Sequence, residues 1–199
     1  MNLYLRLLLA LLKGFRTKQK HPLEPIVSYF RVMPWDLDVL GHMNNGRYLQ
    51  ISDVARMDWM SQARILNAIL RNRWGALLGG SLIRYSRALK LWQKYRVVTR
   101  VTSWDERWFF IEHRFETMCG KEVACCLTRA ALRSKKGWAG TQPIIDEVVP
   151  GLQSPAHCPK VSAWLNADDT LVGQQSFSHV AERHSQAAAF DYLTGNQPR

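Results

Sequence analysis

Residues 36–50 read DLDVLGHMNNGRYLQ, and the fold turns on this stretch. Two acids, a histidine, two glycines and two adjacent asparagines stand between an apolar run and a segment with helical apolar spacing. Upstream, IVSYFRVM over residues 26–33 is rich in β-branched and aromatic residues and stops at Pro34, which reads as a first strand. Downstream of Tyr48, the positions Ile51, Ala55, Trp59, Ala63, Leu66 and Ile69 recur at helical spacing. Leu49, Met57, Met60 and Ile65 widen that stripe. The pattern predicts one helix of about 25 residues whose apolar surface is too broad to face water, so a sheet has to enclose it. Asn44 or Asn45 is its natural N-cap.

Working outward, SLIRYSRALKLWQ over residues 81–93 alternates apolar Ile83, Tyr85, Leu89 and Leu91 with Arg84, Ser86 and Lys90, the pattern of a half-buried strand. The Gly79-Gly80 pair ahead of it predicts a bend or bulge. Three further strands are expected at 95–104, 108–118 and 121–134, separated by the tight joints Asp105-Glu106 and Cys119-Gly120. Joints this short imply antiparallel neighbours. The expected fold class is α+β: a strand, a long central helix, then four consecutive antiparallel strands, in a domain over residues 25–140. Beyond Gly140 the prolines at 143, 150, 155 and 159 read as a linker, and residues 141–199 as a linker plus C-terminal extension. Within it, 164–193 has weak helical character and no chemistry to assign.

A hydrophobic share of 47% with 22% charged residues is that of an ordinary globular chain, which excludes wholesale disorder and a polytopic membrane protein. The charge of +11 favours anionic partners. Much of it lies in a leader over residues 1–24, where Arg6, Lys13, Arg16, Lys18 and Lys20 precede the first acid, Glu24. The leader's apolar core, Leu7 to Leu12, is far shorter than the ~20 residues needed to span a bilayer. Its basic cluster follows the apolar run, the reverse of a secretory signal. Two readings stand: residues 1–20 as an anchor on a membrane surface, or as a helix docked on the chain's own core or on a subunit. No recognition helix or RNA motif accompanies the charge, so nucleic acid is not an expected partner. Cys119, Cys125, Cys126 and Cys158 lack CxxC spacing and read as buried free thiols of a cytoplasmic protein.

The loop itself carries the chemistry. Asp38 lies seven residues before Asn45, where the helix begins. The first turn of a helix has unpaired N–H donors and a partial positive charge, so a carbonyl oxygen held there is polarised. A carboxylate beside it can attack that carbonyl or activate water, which makes a minimal acyl-transfer site without serine or cysteine. The plainer reading has Asp38 bonding only loop amides, the asparagines only capping, and His42 either a base or a residue that orders the loop. Asp36 reads as structural. Asp53 and Asp58 read as a solvated helix face, and His113 as core or interface.

The pattern Asp36-x-Asp38-x-x-Gly41-His42-x-Asn44-Asn45-Gly46-x-Tyr48 resembles that of hotdog-fold acyl-CoA thioesterases of the 4-hydroxybenzoyl-CoA thioesterase type, in particular their long-chain branch with its HxNNxxY stretch. The resemblance implies a hotdog fold, with Asp38 as the catalytic carboxylate, acting as general base or as nucleophile through an acyl anhydride. It implies the backbone N–H at or next to Asn45 as oxyanion donor, with His42, Asn44 and Asn45 shaping the pocket and orienting water, and Tyr48 packed against strands. It also implies a homodimer or homotetramer with an acyl-CoA channel at the subunit interface, Arg84, Arg87 and Lys90 available to CoA phosphates, and no cofactor or metal. The expected function is hydrolysis of fatty acyl-CoA to free acid and CoA. The alternative is a non-catalytic, membrane-tethered module that binds acyl-CoA or lipid. A hydratase fits less well, since such sites pair Asp with a downstream His in another arrangement.

Overall fold

The computed structural model describes residues 2–174. The chain divides into two compact units, the first ending at Ala156 and the second starting at His157. In the second, a helix runs over Pro159–Gln174; the rest of the expected weakly helical stretch lies outside the described residues. All other elements belong to the first unit.

That unit is a six-stranded antiparallel sheet with helices against it. In chain order come α1 (Asn2–Arg16), β1 (Ile26–Arg31), α2 (Asn45–Gln62), α3 (Ile65–Asn72), β2 (Gly75–Tyr85), β3 (Lys94–Trp104), β4 (Phe109–Thr117), β5 (Glu122–Ser134), β6 (Gly137–Trp138) and α4 (Gln142–Val148). The sheet order is β1-β3-β4-β5-β2, with β6 on β5. β4, at the centre, is buried along almost its whole length. α2 lies along the sheet. Tyr48, Ile51 and Ala55 of its first half pack with Tyr95, Val97 and Phe115, and Trp59, Met60 and Ala63 beyond them pack with Trp104, Phe109 and Ile111. Each such large side chain taken out of water contributes about 1.5–3 kcal/mol before entropy is charged against it. This is the expected α+β arrangement, a helix wrapped by an antiparallel sheet.

Three sequence expectations change. The single long helix is two helices, because Arg64 adopts a left-handed backbone (φ 63°) between them. Its guanidinium donates to the carbonyls of Gly14 and Thr17, which hold the break in place. The strand expected at 81–93 instead covers Gly75–Tyr85, with the foreseen bulge between Leu78 and Gly80. And β2 pairs with β5 rather than with β3, so residues 86–93 carry the chain across the sheet.

The leader is a helix folded onto α2. Arg6 pairs with Asp36 at 2.6 Å, and Lys13 with Asp58 at 3.2 Å. Gly14 is buried against Ser61, where any Cβ would collide with that side chain. The opposite face of α1 shows Tyr4, Leu5, Leu8, Leu9 and Leu12 to the outside. Among the described residues no helix is long and apolar enough to cross a membrane.

Candidate active site

The loop that joins β1 to α2 is a miniature hairpin. A one-turn 3-10 helix, Pro34–Asp36, leads into it. Asn44 N–H then donates to Asp36 C=O (2.8 Å), Leu37 bridges Met43, and Asp38 N–H donates to His42 C=O (2.8 Å). Gly41 closes the tip with φ 76°, a backbone that side chains disfavour. Asp38 Oδ1 accepts the N–H groups of Leu40 (2.9 Å) and His42 (3.3 Å), while Oδ2 has no hydrogen-bond partner among the described residues. Val39 and Leu40 stand out of the tip almost fully exposed.

At the base of the hairpin Asn44 is the N-cap of α2, its Oδ1 accepting from Gly46 N–H at 2.8 Å. Arg47 N–H donates to the Asn44 carbonyl, so the Asn45 N–H, at the first helical position, is left without a partner among the described residues. Asn45 C=O accepts from the Tyr85 hydroxyl at 3.1 Å, which ties the helix start to β2. Tyr48 is 2% exposed and packs edge-on against Tyr85 and Phe115; burial pushes its hydroxyl up to about 12, so it stays protonated. Asp38 and His42 thus face each other across the hairpin, and Asn44 lies about 7 Å further along it by strand rise, with Asn45 next in the chain as the first residue of α2. A bridge from His42 to Lys90 brings that lysine to the loop's flank. Arg84 and Arg87 instead engage Glu122.

Asp36 does a different job. It is buried, paired with Arg6 and Arg47, and accepts Met33 N–H at 3.0 Å, so it fixes where the hairpin starts. Asp58 is also buried, at 2%, which corrects its reading as part of a solvated face: it accepts from Ser28 (2.6 Å), Gln62 (2.7 Å) and Lys13. The signal was its place within the broad apolar stripe of α2. Asp53 is exposed, as expected, and pairs with Arg56. His113 is core: fully buried, with Nδ1 3.0 Å from Thr99 Oγ1, its pKa held well below the ordinary value by burial and then by Arg56. Cys126 is buried, its thiol pushed up to about 11 by burial, whereas Cys119 is exposed, against expectation.

A cavity of about 190 Å³ lies between α2, α3 and the sheet, lined by Asp53 and Arg56 among otherwise apolar residues. None of Asp38, His42, Asn44 and Asn45 lines it. Sequence reasoning missed this cavity; the opposite charges of Asp53 and Arg56 one helical turn apart mark its position on α2 but not its depth.

A 144-residue stretch is 33% identical to "Protein THEM6" of Xenopus laevis, covering 70% of this chain and 66% of that relative. Among solved structures, the fold matches the probable thioesterase YbaW from Escherichia coli with a TM-score of 0.58, at 18% identity over 63% of this chain and 96% of that one. It also matches Slr0204, a 1,4-dihydroxy-2-naphthoyl-CoA thioesterase from Synechocystis, with a TM-score of 0.56, at 15% identity over 66% of this chain and 100% of that one. A family model described as "Thioesterase-like superfamily" matches residues 32–164, from just before the hairpin to well past the sheet. With its helix-in-sheet architecture, the chain belongs to the thioesterase-like superfamily and carries the hotdog fold.

Proposed function

We propose that the chain hydrolyses acyl-CoA thioesters, fatty acyl-CoA first among them, to free acid and CoA, with Asp38 as the acting carboxylate. The observation that carries this reading is the hairpin: it holds Asp38 through one oxygen, leaves the other open, and runs directly into a helix whose Asn45 N–H is unpaired. A thioester carbonyl oxygen received by that N–H is polarised by the helix terminus as charge builds on it. Asp38 Oδ2 then either takes a proton from water as the water adds to the carbonyl carbon, or adds itself to form an anhydride that water cleaves. In both cases the C–S bond breaks and CoA leaves as thiolate. His42 and Asn44 flank the path and order the water.

Assembly and placement follow the same reading. β2 is an edge strand, exposed along most of its length and rich in Leu and Gly, which suits pairing with a second copy in a homodimer or homotetramer. The outer stripe of α1, with Arg16, Lys18 and Lys20 beyond it, suits the surface of a cytoplasmic membrane.

Release of CoA thiol from acyl-CoAs of graded chain length, by wild type and Asp38→Asn, tests the role of Asp38: equal rates would sink it. A single turnover in ¹⁸O-water tests the nucleophile route, since label in the Asp38 carboxyl requires the anhydride, whereas label in the acid alone fits direct attack by water or attack at the acyl carbon of the anhydride. One observation favours a second reading, ligand binding without turnover: the cavity beside α2 is lined by none of the hairpin residues. Saturable acyl-CoA binding with no thiol release by well-folded protein would establish it.

A further inference from the structure

A second, open cavity of about 500 Å³ lies where the end of α3 meets the turn between β5 and β6. It is at the end of the sheet away from the hairpin: Tyr85 of β2 bonds the start of α2, Gly75 pairs with Arg133 beside the turn, and the 11 residues of β2 put these ends roughly 30 Å apart. Arg73, Lys135 and Lys136 line the cavity, and no carboxylate does. Arg71, two residues before Arg73, pairs with Glu147 at 2.9 Å. Arg73, Lys135 and Lys136 make no ion pair and no side-chain hydrogen bond among the described residues. Lys135 and Lys136 form the tip of a tight hairpin, in which Ser134 Oγ accepts Lys136 N–H and donates to Gly137 C=O, both at 3.1 Å. Arg73 ends α3 with a left-handed backbone (φ 54°), a position where glycine or asparagine is the usual residue. For the turn alone, glycine would serve better.

Charge and size narrow the class of ligand. Three cations around one concavity suit an anion of more than one charge. A carboxylate brings one; a phosphomonoester brings nearly two, with three acceptor oxygens to share between a guanidinium fork and two ammonium groups. The volume falls in the range of roughly 300–1,000 Å³ that small-molecule sites occupy, more than inorganic phosphate needs. Trp74, half-buried and packed on the core, and Ala139 supply an apolar wall for an organic group. We propose that this cavity binds a phosphomonoester, its phosphate held by Arg73, Lys135 and Lys136 and its organic part against Trp74. The site stands on these residues alone and is independent of what Asp38 does. A soluble phosphorylated compound and the headgroup of phosphatidic acid share this chemistry.

Two measurements on the full chain test the site: calorimetric titration with AMP and with adenosine, and co-sedimentation with phosphatidylcholine vesicles that do or do not contain phosphatidic acid. Arg73→Gly is the decisive variant, because glycine fits the left-handed backbone and should leave the melting temperature no lower than in wild type. It should weaken the phosphate-bearing probe by about tenfold or more, as should the double substitution Lys135→Gln and Lys136→Gln. Lys94→Gln, which removes an exposed charge at the start of β3, should leave binding unchanged. Loss of AMP binding in Arg73→Gly marks a soluble phosphomonoester as the ligand; loss of phosphatidic acid binding alone marks a lipid headgroup. Saturable binding of neither probe by wild type, adenosine binding as tightly as AMP, or equal weakening by Arg73→Gly and Lys94→Gln overturns the proposal.

Discussion

Where α1 lies across α2, two acids are buried and fully engaged: Asp36 with Arg6, Arg47 and the Met33 N–H, and Asp58 with Lys13, Ser28 and Gln62. At the tip of the hairpin, two residues from Asp36, Asp38 is part-exposed and held by Oδ1 alone. Both regions are acid-rich and belong to one continuous piece of structure, yet their carboxylates differ in what remains free. An oxygen already paired and hydrogen-bonded positions the chain; an oxygen without a partner among the described residues, on the hairpin that leads to the Asn45 N–H, is open to chemistry. The motif supplies both kinds, and only their surroundings tell them apart.

That contrast can be broken by substitution. The largest effect is expected on turnover: Asp38→Asn, which keeps the Oδ1 acceptor for Leu40 and His42, should lower the rate of CoA release about a thousandfold and leave the melting temperature near wild type. A melting temperature that falls with the rate would place Asp38 with the structural acids. Next, Asp36→Ala should reduce unfolding stability in urea by about 3 kcal/mol, because Arg6 is left buried without its counter-charge. A stability close to wild type would mean that the seam is not held by this pair. Gly14→Ala sharpens the same point from the other side of the seam, since its methyl group meets Ser61; a loss of about 1–2 kcal/mol is expected, with α1 loosening first in hydrogen exchange.

The smallest effect concerns acid. Burial, then the nearby Arg56, keeps His113 neutral in the folded chain at pH values where the unfolded chain protonates it. The unfolded state thus binds the extra proton, and the stability His113 contributes is complete above its ordinary pKa of about 6.5 and is lost as pH falls below that. Urea midpoints at pH 7.5 and pH 5.5 should lie closer together in His113→Gln than in wild type; an unchanged gap would remove His113 from the acid response.

Most of the sheet was legible because β3, β4 and β5 carry their apolar residues in short runs closed by two-residue polar joints, and local pattern sets that kind of pairing. The start of α2 was legible for a similar reason: capping is a property of adjacent residues, and Asn44 caps as its position predicts. What escaped depends on distance. The apolar periodicity runs unbroken through Ala63 and Arg64, and only bonds from Arg64 to Gly14 and Thr17 fix the left-handed turn that divides the helix. β2 begins inside a stretch that reads as loop, since an exposed edge strand need not alternate. The candidate site splits the same way. Asp38, His42, Asn44 and Asn45 fall within eight residues, so a local reading groups them, whereas the cavity beside α2 is assembled from α2, α3 and the sheet, which no local spacing reveals.

The clasp between α1 and α2 bears on how this protein can be handled. The first twenty-four residues look disposable by composition, and trimming to residue 25 would be the natural way to obtain a more tractable sample. Such a shortened chain would lose the arginine that neutralises Asp36 and the lysine at Asp58, and would bare the groove in which Gly14 sits on Ser61. Whatever activity a trimmed preparation lacked would then report a damaged scaffold, not the absence of an enzyme.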